Sequence, residues 1–118
     1  MRPLAGVRVL DFSTLLPGPL ATLVLAEAGA EVIKIERPEG EDMRAYPPRW
    51  GGDSVNFALL NRGKKSIAVD IKDEDARRRV LALAAQCDVL VEQFRPGVMD
   101  RLGLGYEAVR AVNPRIVY

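Results

Sequence analysis

Histidine is absent from the sequence, and Cys87 is the single cysteine. These residues alone therefore cannot form a Ser-His-Asp or Cys-His catalytic set, nor an internal disulfide. A lone cysteine is typical of proteins in reducing compartments, so we expect a cytoplasmic location. The spacing of cysteine, aspartate and glutamate matches no metal-ligand motif, and we expect no metal cofactor.

The sequence also lacks an excess of charge of one sign and a long apolar run. Seventeen basic and sixteen acidic residues give a net charge of +1, which creates no overall field for nucleic acid or an anionic membrane. No run approaches the roughly 20 apolar residues that span a bilayer, and the MRPLAG start lacks the layout of a signal peptide. With 118 residues, 48% of them hydrophobic, the chain has the composition of one soluble globular domain. We expect neither a nucleic-acid partner nor a membrane partner.

The segment 7–37 predicts a βαβ unit, around which the rest of the chain is organised. Two apolar runs, at 7–10 and 32–35, are typical of buried parallel strands. The helix between them is expected at 20–28, with Ser13 or Thr14 as its cap and Gly29 just past its end. Because this helix is apolar almost all round, it should be covered on more than one side, by another element or a subunit.

Strands and helices continue to alternate along the chain. Residues 37–53 contain three prolines and three glycines and predict a long loop that faces a ligand or forms a lid. The other expected elements are a helix at 54–61, strands at 66–71 and 88–93, a helix from 72, a helical turn at 98–102, a helix at 106–112 and a fifth strand from 115. This order predicts an α/β fold with a doubly wound parallel sheet and right-handed crossovers.

Basic residues follow three consecutive predicted strands. Ligands of open parallel sheets bind at the carboxyl ends of strands, and cations there suit phosphate oxygens. Phe94 and Leu102 could flank a planar base. The alternative is that each cation is a loop charge neutralised by an acid nearby. The cations are Arg37, Lys72, Arg95 and Arg101, and the acids are Glu36, Asp70 and Asp100.

The loop after the first strand argues against a nicotinamide cofactor. A dinucleotide fingerprint needs three glycines, and residues 11–19 hold only Gly18 together with two prolines, which lack the N–H groups that face a pyrophosphate. The Lys64-Lys65-Ser66 sequence has no upstream glycine pattern and is not a P-loop. Asp11 is expected to be structural.

Eight short motifs, taken in order, resemble the class III CoA-transferase and α-methylacyl-CoA racemase family along the whole chain. They are LAGVRVLD at 4–11, PGP at 17–19, GAEVIKIERP at 29–38, NRGKKSI at 61–67, DVLVE at 88–92, FRPG at 94–97, RLG at 101–103 and NPR at 113–115. The resemblance implies that residues 1–118 are the Rossmann-like N-terminal portion of a longer subunit, two of which interlock as a homodimer. It also implies coenzyme A as substrate or acyl carrier, with an acyl-CoA and a carboxylic acid as the reacting partners.

The resemblance assigns contacts with CoA but no catalytic residue to this chain, because the family's catalytic aspartate lies beyond Tyr118. One branch of the family, which transfers CoA to oxalate, carries glutamine where this chain has Leu16. The apolar loop here therefore favours a branched or aryl acyl group over a small dicarboxylate. The implied contacts are Leu15, Leu16 and Pro17 beside the thioester, and Arg37, Val69, Lys72, Gln93, Phe94, Arg101 and Leu102 around the nucleotide.

Three functions stay open at this point. The first is the CoA-binding portion of a class III CoA-transferase, and the second is the corresponding portion of a racemase that moves an α-proton. The third is a noncatalytic Rossmann-like module that binds a nucleotide or a protein partner.

Overall fold

The computed structural model describes residues 1–118. Its main sheet contains β1 (Arg8–Asp11), β2 (Glu31–Glu36), β5 (Lys65–Ala68) and β6 (Val89–Val91), and a small hairpin contains β3 (Arg49–Trp50) and β4 (Asp53–Ser54). The helices are α1 (Pro17–Glu27), α2 (Val55–Asn61), α3 (Glu74–Ala84), α4 (Val98–Arg101) and α5 (Tyr106–Val112), with a 3₁₀ turn at Asp42–Ala45. None of the helices is long and apolar enough to cross a bilayer.

All four strands of the main sheet run parallel in the order β5-β2-β1-β6. The chain first adds strands on one side of β1 and then crosses to its other side with β6. This reversal creates a switch point between β1 and β6, where ligands of doubly wound folds bind. The predicted doubly wound parallel sheet is confirmed. The predicted fifth strand is reduced to a single parallel bridge between Val117 and Val89.

Alternating side chains divide the sheet into two unlike faces. Leu10 of β1 and Ile33 and Ile35 of β2 point into the larger core, which α3, α4 and α5 cover. Val9 and Val32 point to the opposite face, where the smaller core lies under α1. Helices on both faces are what the doubly wound class requires.

Local chemistry explains where the helices begin and end. Helix α1 starts at Pro17, three residues before the predicted bound, because the proline ring presets the first turn. Neither Ser13 nor Thr14 caps it: the N-cap is Leu16, whose side chain makes no capping bond, so that prediction was wrong. Gly29 follows its end with φ +108°, as predicted. Two other helices do have side-chain caps, since Ser54 accepts from Phe57 N and Asp73 accepts from Ala76 N.

Helix α1 is only partly covered within this chain. The sheet covers one side and α2 packs against another, whereas Leu16, Leu20 and Val24, spaced four residues apart, remain 54%, 47% and 60% exposed.

The predicted loop at 37–53 contains the 3₁₀ turn and the small hairpin. The strand predicted at 66–71 ends at Ala68, so Asp70 and Ile71 belong to the turn before α3.

Replacement of Leu10 by alanine tests the larger core. Leu10 of β1 is fully buried in the larger core, where it faces the covering helices. The change therefore leaves a cavity and should lower the free energy of unfolding by about 2–5 kcal/mol. The matched control is Leu59→Ala on α2, where the leucine is 55% exposed and the cost should stay within about 0.5 kcal/mol. Urea denaturation measures both variants, and equal losses would contradict this placement of the core.

Candidate functional site

A cleft of about 420 Å³ lies at the carboxyl ends of the main-sheet strands. Its walls come from the segments that follow β1, β2, β5 and β6. Four of the predicted site residues line it together: Arg37, Val69, Lys72 and Phe94. Phe12 and Ile71 add apolar surface between the charged groups. The strands therefore converge on one place, as expected for this sheet topology.

The other six predicted residues are not on the walls of this cleft. Leu15, Leu16 and Pro17 form the loop between β1 and α1, next to Thr14, which lines the cleft. Gln93 precedes Phe94 in the chain. Arg101 ends α4, and Leu102 packs partly against the larger core. Direct contact of these six with CoA stays a prediction.

A larger opening, of about 540 Å³, lies along the edge strand β5 beside α3. It shares Val69 with the first cleft, and most of its lining is apolar. None of the four predicted basic residues lines it. The larger opening has one basic residue, Arg79. The smaller cleft is the better candidate for an anionic ligand because the ends of all four strands converge on it and both Arg37 and Lys72 line it.

The cations near the cleft differ in how far they are neutralised. Arg37 is bound within its own loop, because its guanidinium donates to Asp42 and, at 2.8 Å, to the Gly40 carbonyl. Lys72 and Arg101 make no ion pair. The alternative that an acid nearby neutralises each cation holds for Arg37, although its partner is Asp42 and not one of the acids named. Glu36 pairs with Arg44 instead, and the Asp70 carboxylate accepts from the Lys72 backbone N–H. Of the two cations on the cleft walls, Lys72 is therefore free for a ligand and Arg37 is paired, whereas Arg101 is unpaired but not part of the walls.

The N-terminus of α1 has few free N–H groups for a phosphate. Pro17 and Pro19 have no N–H, and the Gly18 N–H donates to Gln93 Oε1 at 2.9 Å. In dinucleotide-binding folds the pyrophosphate sits on such a helix terminus. Here prolines and a side-chain amide remove these donors, so the switch point is suited to an uncharged part of a ligand. Nor does any group of three His, Cys, Asp or Glu side chains lie where it could hold a metal ion.

A buried charge network supports the cleft from the α1 face of the sheet. We define it as six charged residues, three acidic and three basic: Asp11, Lys34, Glu36, Glu41, Arg44 and Lys64. All of these side chains are at most 3% exposed except that of Arg44, which is 43% exposed. At one end, Lys64 Nζ lies 3.4 Å from Asp11 Oδ2 and donates to the Pro19 carbonyl, Thr22 Oγ1 and Asn61 Oδ1 at 2.7–2.9 Å. Both charged side chains are at most 1% exposed. Burial lowers the pKa of Lys64, and the Asp11 carboxylate opposes that shift.

In the middle of the network, Lys34 joins β2 to the loops above it. Its Nζ donates to the Ser13 carbonyl at 2.8 Å and lies 3.2 Å from Glu41 Oε1. That oxygen is oriented too poorly to accept a hydrogen bond, so the attraction between the two groups is purely electrostatic. The other oxygen of Glu41 accepts from Leu15 N–H at 2.8 Å.

At the other end of the network, Glu36 is held by three donors. Arg44 binds it through two bonds of 2.7 Å, Ser66 Oγ donates to it, and the Glu41 N–H donates at 3.0 Å. Burial alone would raise the pKa of Glu36, but these hydrogen bonds outweigh burial and hold it at about 2. The Arg44 guanidinium also stacks 3.9 Å from the centre of the Phe57 ring.

Sequence reasoning missed most of this network. The β2 sequence EVIKIE alternates, so Lys34 and Glu36 share a face with Val32, while Ile33 and Ile35 share the other. That alternation was a usable signal, although the segment was interpreted as a nearly continuous apolar run. Glu41 and Arg44 lie in an irregular segment, where one sequence offers no comparable pattern.

Comparison with known proteins assigns this arrangement to a family. The family model described as CoA-transferase family III matches residues 4–118. Succinyl-CoA:glutarate CoA-transferase of Mus musculus is 51% identical over 120 residues, covering 100% of this chain and 28% of that protein. Acetyl-CoA:oxalate CoA-transferase of Acetobacter aceti is 47% identical over 117 residues, covering 98% and 30%.

A solved structure of a similar protein has the same fold as this chain. The crystal structure of the hypothetical protein Rv3272 from Mycobacterium tuberculosis matches with a TM-score of 0.93 at 47% identity, covering 100% of this chain and 32% of that chain. The chain thus spans about three tenths of the length of the relatives it matches. Relatives named for glutarate and for oxalate are similarly close, so overall identity does not distinguish between acids. The inference drawn from Leu16 about a larger acyl group stays a prediction.

The pKa of Glu36 gives a test of the buried charge network. A carboxyl group whose pKa falls from 4.5 to about 2 on folding contributes about 3 kcal/mol above pH 4.5, and this is lost as the pH falls towards 2. The destabilisation caused by Glu36→Gln should therefore be large at pH 7 and shrink between pH 5 and pH 2. Urea denaturation at a series of pH values measures it.

The control for that measurement is Glu39→Gln, because Glu39 is 74% exposed in the same segment. It should produce no such pH-dependent difference. A destabilisation by Glu36→Gln that is the same at pH 2.5 and pH 7 would contradict the assigned role of these hydrogen bonds.

Proposed function

Because the chain belongs to CoA-transferase family III, we propose that it is the CoA-binding, N-terminal portion of a longer enzyme that moves CoA between an acyl-CoA thioester and a carboxylic acid. In that exchange the donor C–S bond breaks, a new C–S bond forms to the acceptor's acyl carbon, and one acceptor oxygen passes to the donor acyl group. Atoms and charge balance without a further reactant. The named relatives above are transferases, which favours CoA transfer over the racemase alternative.

The observation that carries the proposal is the cleft at the strand ends, which is lined by the unpaired Lys72 and by Arg37. CoA is a strongly anionic nucleotide with a diphosphate and a ribose phosphate. Lys72 and Arg101 have no acidic partner, and Arg37 can exchange Asp42 for a phosphate oxygen. Half-buried Phe94 offers a ring for the base.

The uncharged arm of CoA fits the other side of the cleft. There the α1 terminus offers prolines instead of N–H donors, and Leu16 is exposed. A thioester carries no charge and needs no such donors. We therefore place the acyl end beside Leu15, Leu16 and Pro17 and the phosphates beside Arg37 and Lys72.

The proposal extends to assembly and location. The exposed apolar stripe formed by Leu16, Leu20 and Val24 supports coverage of α1 in the longer protein, in which two subunits interlock as a homodimer. The single buried cysteine supports a cytoplasmic enzyme.

Charge-to-neutral variants of the full-length protein test CoA binding. A charge-assisted contact contributes about 1.5–3 kcal/mol, so Arg101→Ala, Lys72→Ala and Arg37→Ala should each raise the CoA dissociation constant by about tenfold or more. Asp42→Asn should have the opposite effect, because it frees Arg37 and removes a negative charge from the cleft. Isothermal calorimetry measures all four variants.

The control for CoA binding is Arg78→Ala, since Arg78 is exposed on α3 and pairs there with Glu74 and Asp75. Its affinity should equal that of the unmodified protein. Unchanged affinity in all three cation variants would overturn the placement of the phosphates.

Residues 1–118 alone should bind CoA weakly and catalyse nothing. Both family reactions need a positioned carboxylate, as nucleophile or as base. Of the four carboxylates considered, Asp11 and Glu36 are committed to the buried charge network and Asp70 accepts the Lys72 N–H. The fourth, Asp100, lies in α4 and does not line the cleft. Assays of CoA exchange and α-proton exchange should show only the uncatalysed rate for the segment and turnover for the full-length protein. Turnover by the segment that is lost on mutating one of these carboxylates would place the catalytic group within it.

A further inference from the structure

The loop between β1 and α1 is held at four backbone groups by three side chains from distant parts of the chain. Lys34 of β2 donates to the Ser13 carbonyl, and Glu41 accepts the Leu15 N–H, each at 2.8 Å. Gln93, which follows β6, makes two bonds: Nε2 donates to the Thr14 carbonyl at 2.7 Å and Oε1 accepts the Gly18 N–H at 2.9 Å. Hydrogen bonds from three separate segments of the chain therefore fix the backbone of this loop along its length.

The loop needs such support because its backbone is strained at Leu15. This residue has φ +64° and is the one non-glycine residue with positive φ. The left-handed region costs an ordinary side chain roughly 1 kcal/mol or more, and it persists where the surroundings dictate it. The hydrogen bond from the Leu15 N–H to Glu41 supplies part of that constraint.

The contact between the loop and Gln93 is also sterically tight. A Cβ atom on Gly18 would overlap the side chain of Ser13 and the Oε1 atom of Gln93. Glycine thus allows α1 to begin directly against the amide. The Gln93 residue as a whole remains exposed, so the fold does not depend on burying it.

We propose that Gln93 is a positioning residue for acyl transfer: its amide, together with Glu41, fixes the left-handed loop at Leu15 so that Leu15, Leu16 and Pro17 hold the acyl end of CoA in one place. The inference rests on the proposed function, which puts the thioester beside this loop. It assigns to Gln93 an effect on turnover that is separate from affinity for the nucleotide. The resemblance implies a nucleotide contact for Gln93, but here both polar groups of its amide bind the loop backbone, so the inference replaces that contact. The phosphates bind to other side chains, and CoA should therefore bind when the Gln93 amide is removed.

The test uses Gln93→Met in the full-length protein, because methionine has a similar shape and neither polar group. The value of kcat for CoA transfer should fall tenfold or more, since small misplacement of reacting groups costs up to about a hundredfold. The dissociation constant for free CoA, measured by calorimetry, should change less than twofold. The matched control is Gln86→Met, an exposed glutamine just past α3, which should leave both quantities unchanged.

Amide hydrogen exchange gives a second readout that does not depend on turnover. In Gln93→Met the backbone amides of Leu15, Leu16 and Gly18 should exchange faster than in Gln86→Met, because Gly18 loses its acceptor. The thermal unfolding midpoint should stay close to that of the unmodified protein.

Two results would overturn the inference. One is a kcat unchanged in Gln93→Met, and the other is a loss of CoA affinity equal to the loss of kcat, which would make Gln93 a nucleotide contact or a purely structural residue. Failure of the proposed function looks different, because the unmodified full-length protein would then neither bind CoA nor transfer it.

Discussion

The pairing of Asp11 with Lys64 beneath α1 is the interaction on which the rest of the site depends. Both side chains are at most 1% exposed, and removing one partner of such a pair costs about 3–5 kcal/mol because the other charge is left buried. Lys64 also binds the Pro19 carbonyl and Thr22, which ties the loop before β5 to the first turns of α1. Lys34 and Glu36 extend the buried charge network along β2. The ion pairs and hydrogen bonds of this network therefore hold the loops around the cleft in place.

The fold and the site were predictable from the sequence to different extents. Hydrophobic runs separated by turn residues indicated the parallel sheet and every α-helix. The start of α1 was misplaced because Pro17 as first residue outweighs a serine or threonine cap.

Cations at strand ends indicated the cleft, since the carboxyl ends of the strands in a parallel sheet lie at the same edge. The hydrogen bonds of Glu41 and Gln93 with the backbone around the start of α1 could not be predicted. They join residues 26, 75 and 79 positions apart, and they depend on loop conformations.

This protein shares the sheet order of dinucleotide-binding folds but distributes its ligand chemistry differently. In those folds a glycine-rich turn offers N–H groups to a pyrophosphate at the first helix. Here prolines and Gln93 remove the donors at that helix, and the free positive charge lies beyond β5 and β6. This difference supports our proposal that the uncharged arm of CoA, and not a phosphate, lies at the turn before α1.

The alternation of β1 and β2 also protects the chain from misfolding. Asp11 lies opposite Lys34 in the strand register, on the same face as Val9 and Val32. A slip of one residue would turn every side chain of a strand to the other face. Lys34 and Glu36 would then enter the larger apolar core without partners, at a cost far above that of losing a few apolar contacts. The buried charges therefore specify one register of β1 and β2. The residues that shape the cleft thus also disfavour a sheet with shifted strands.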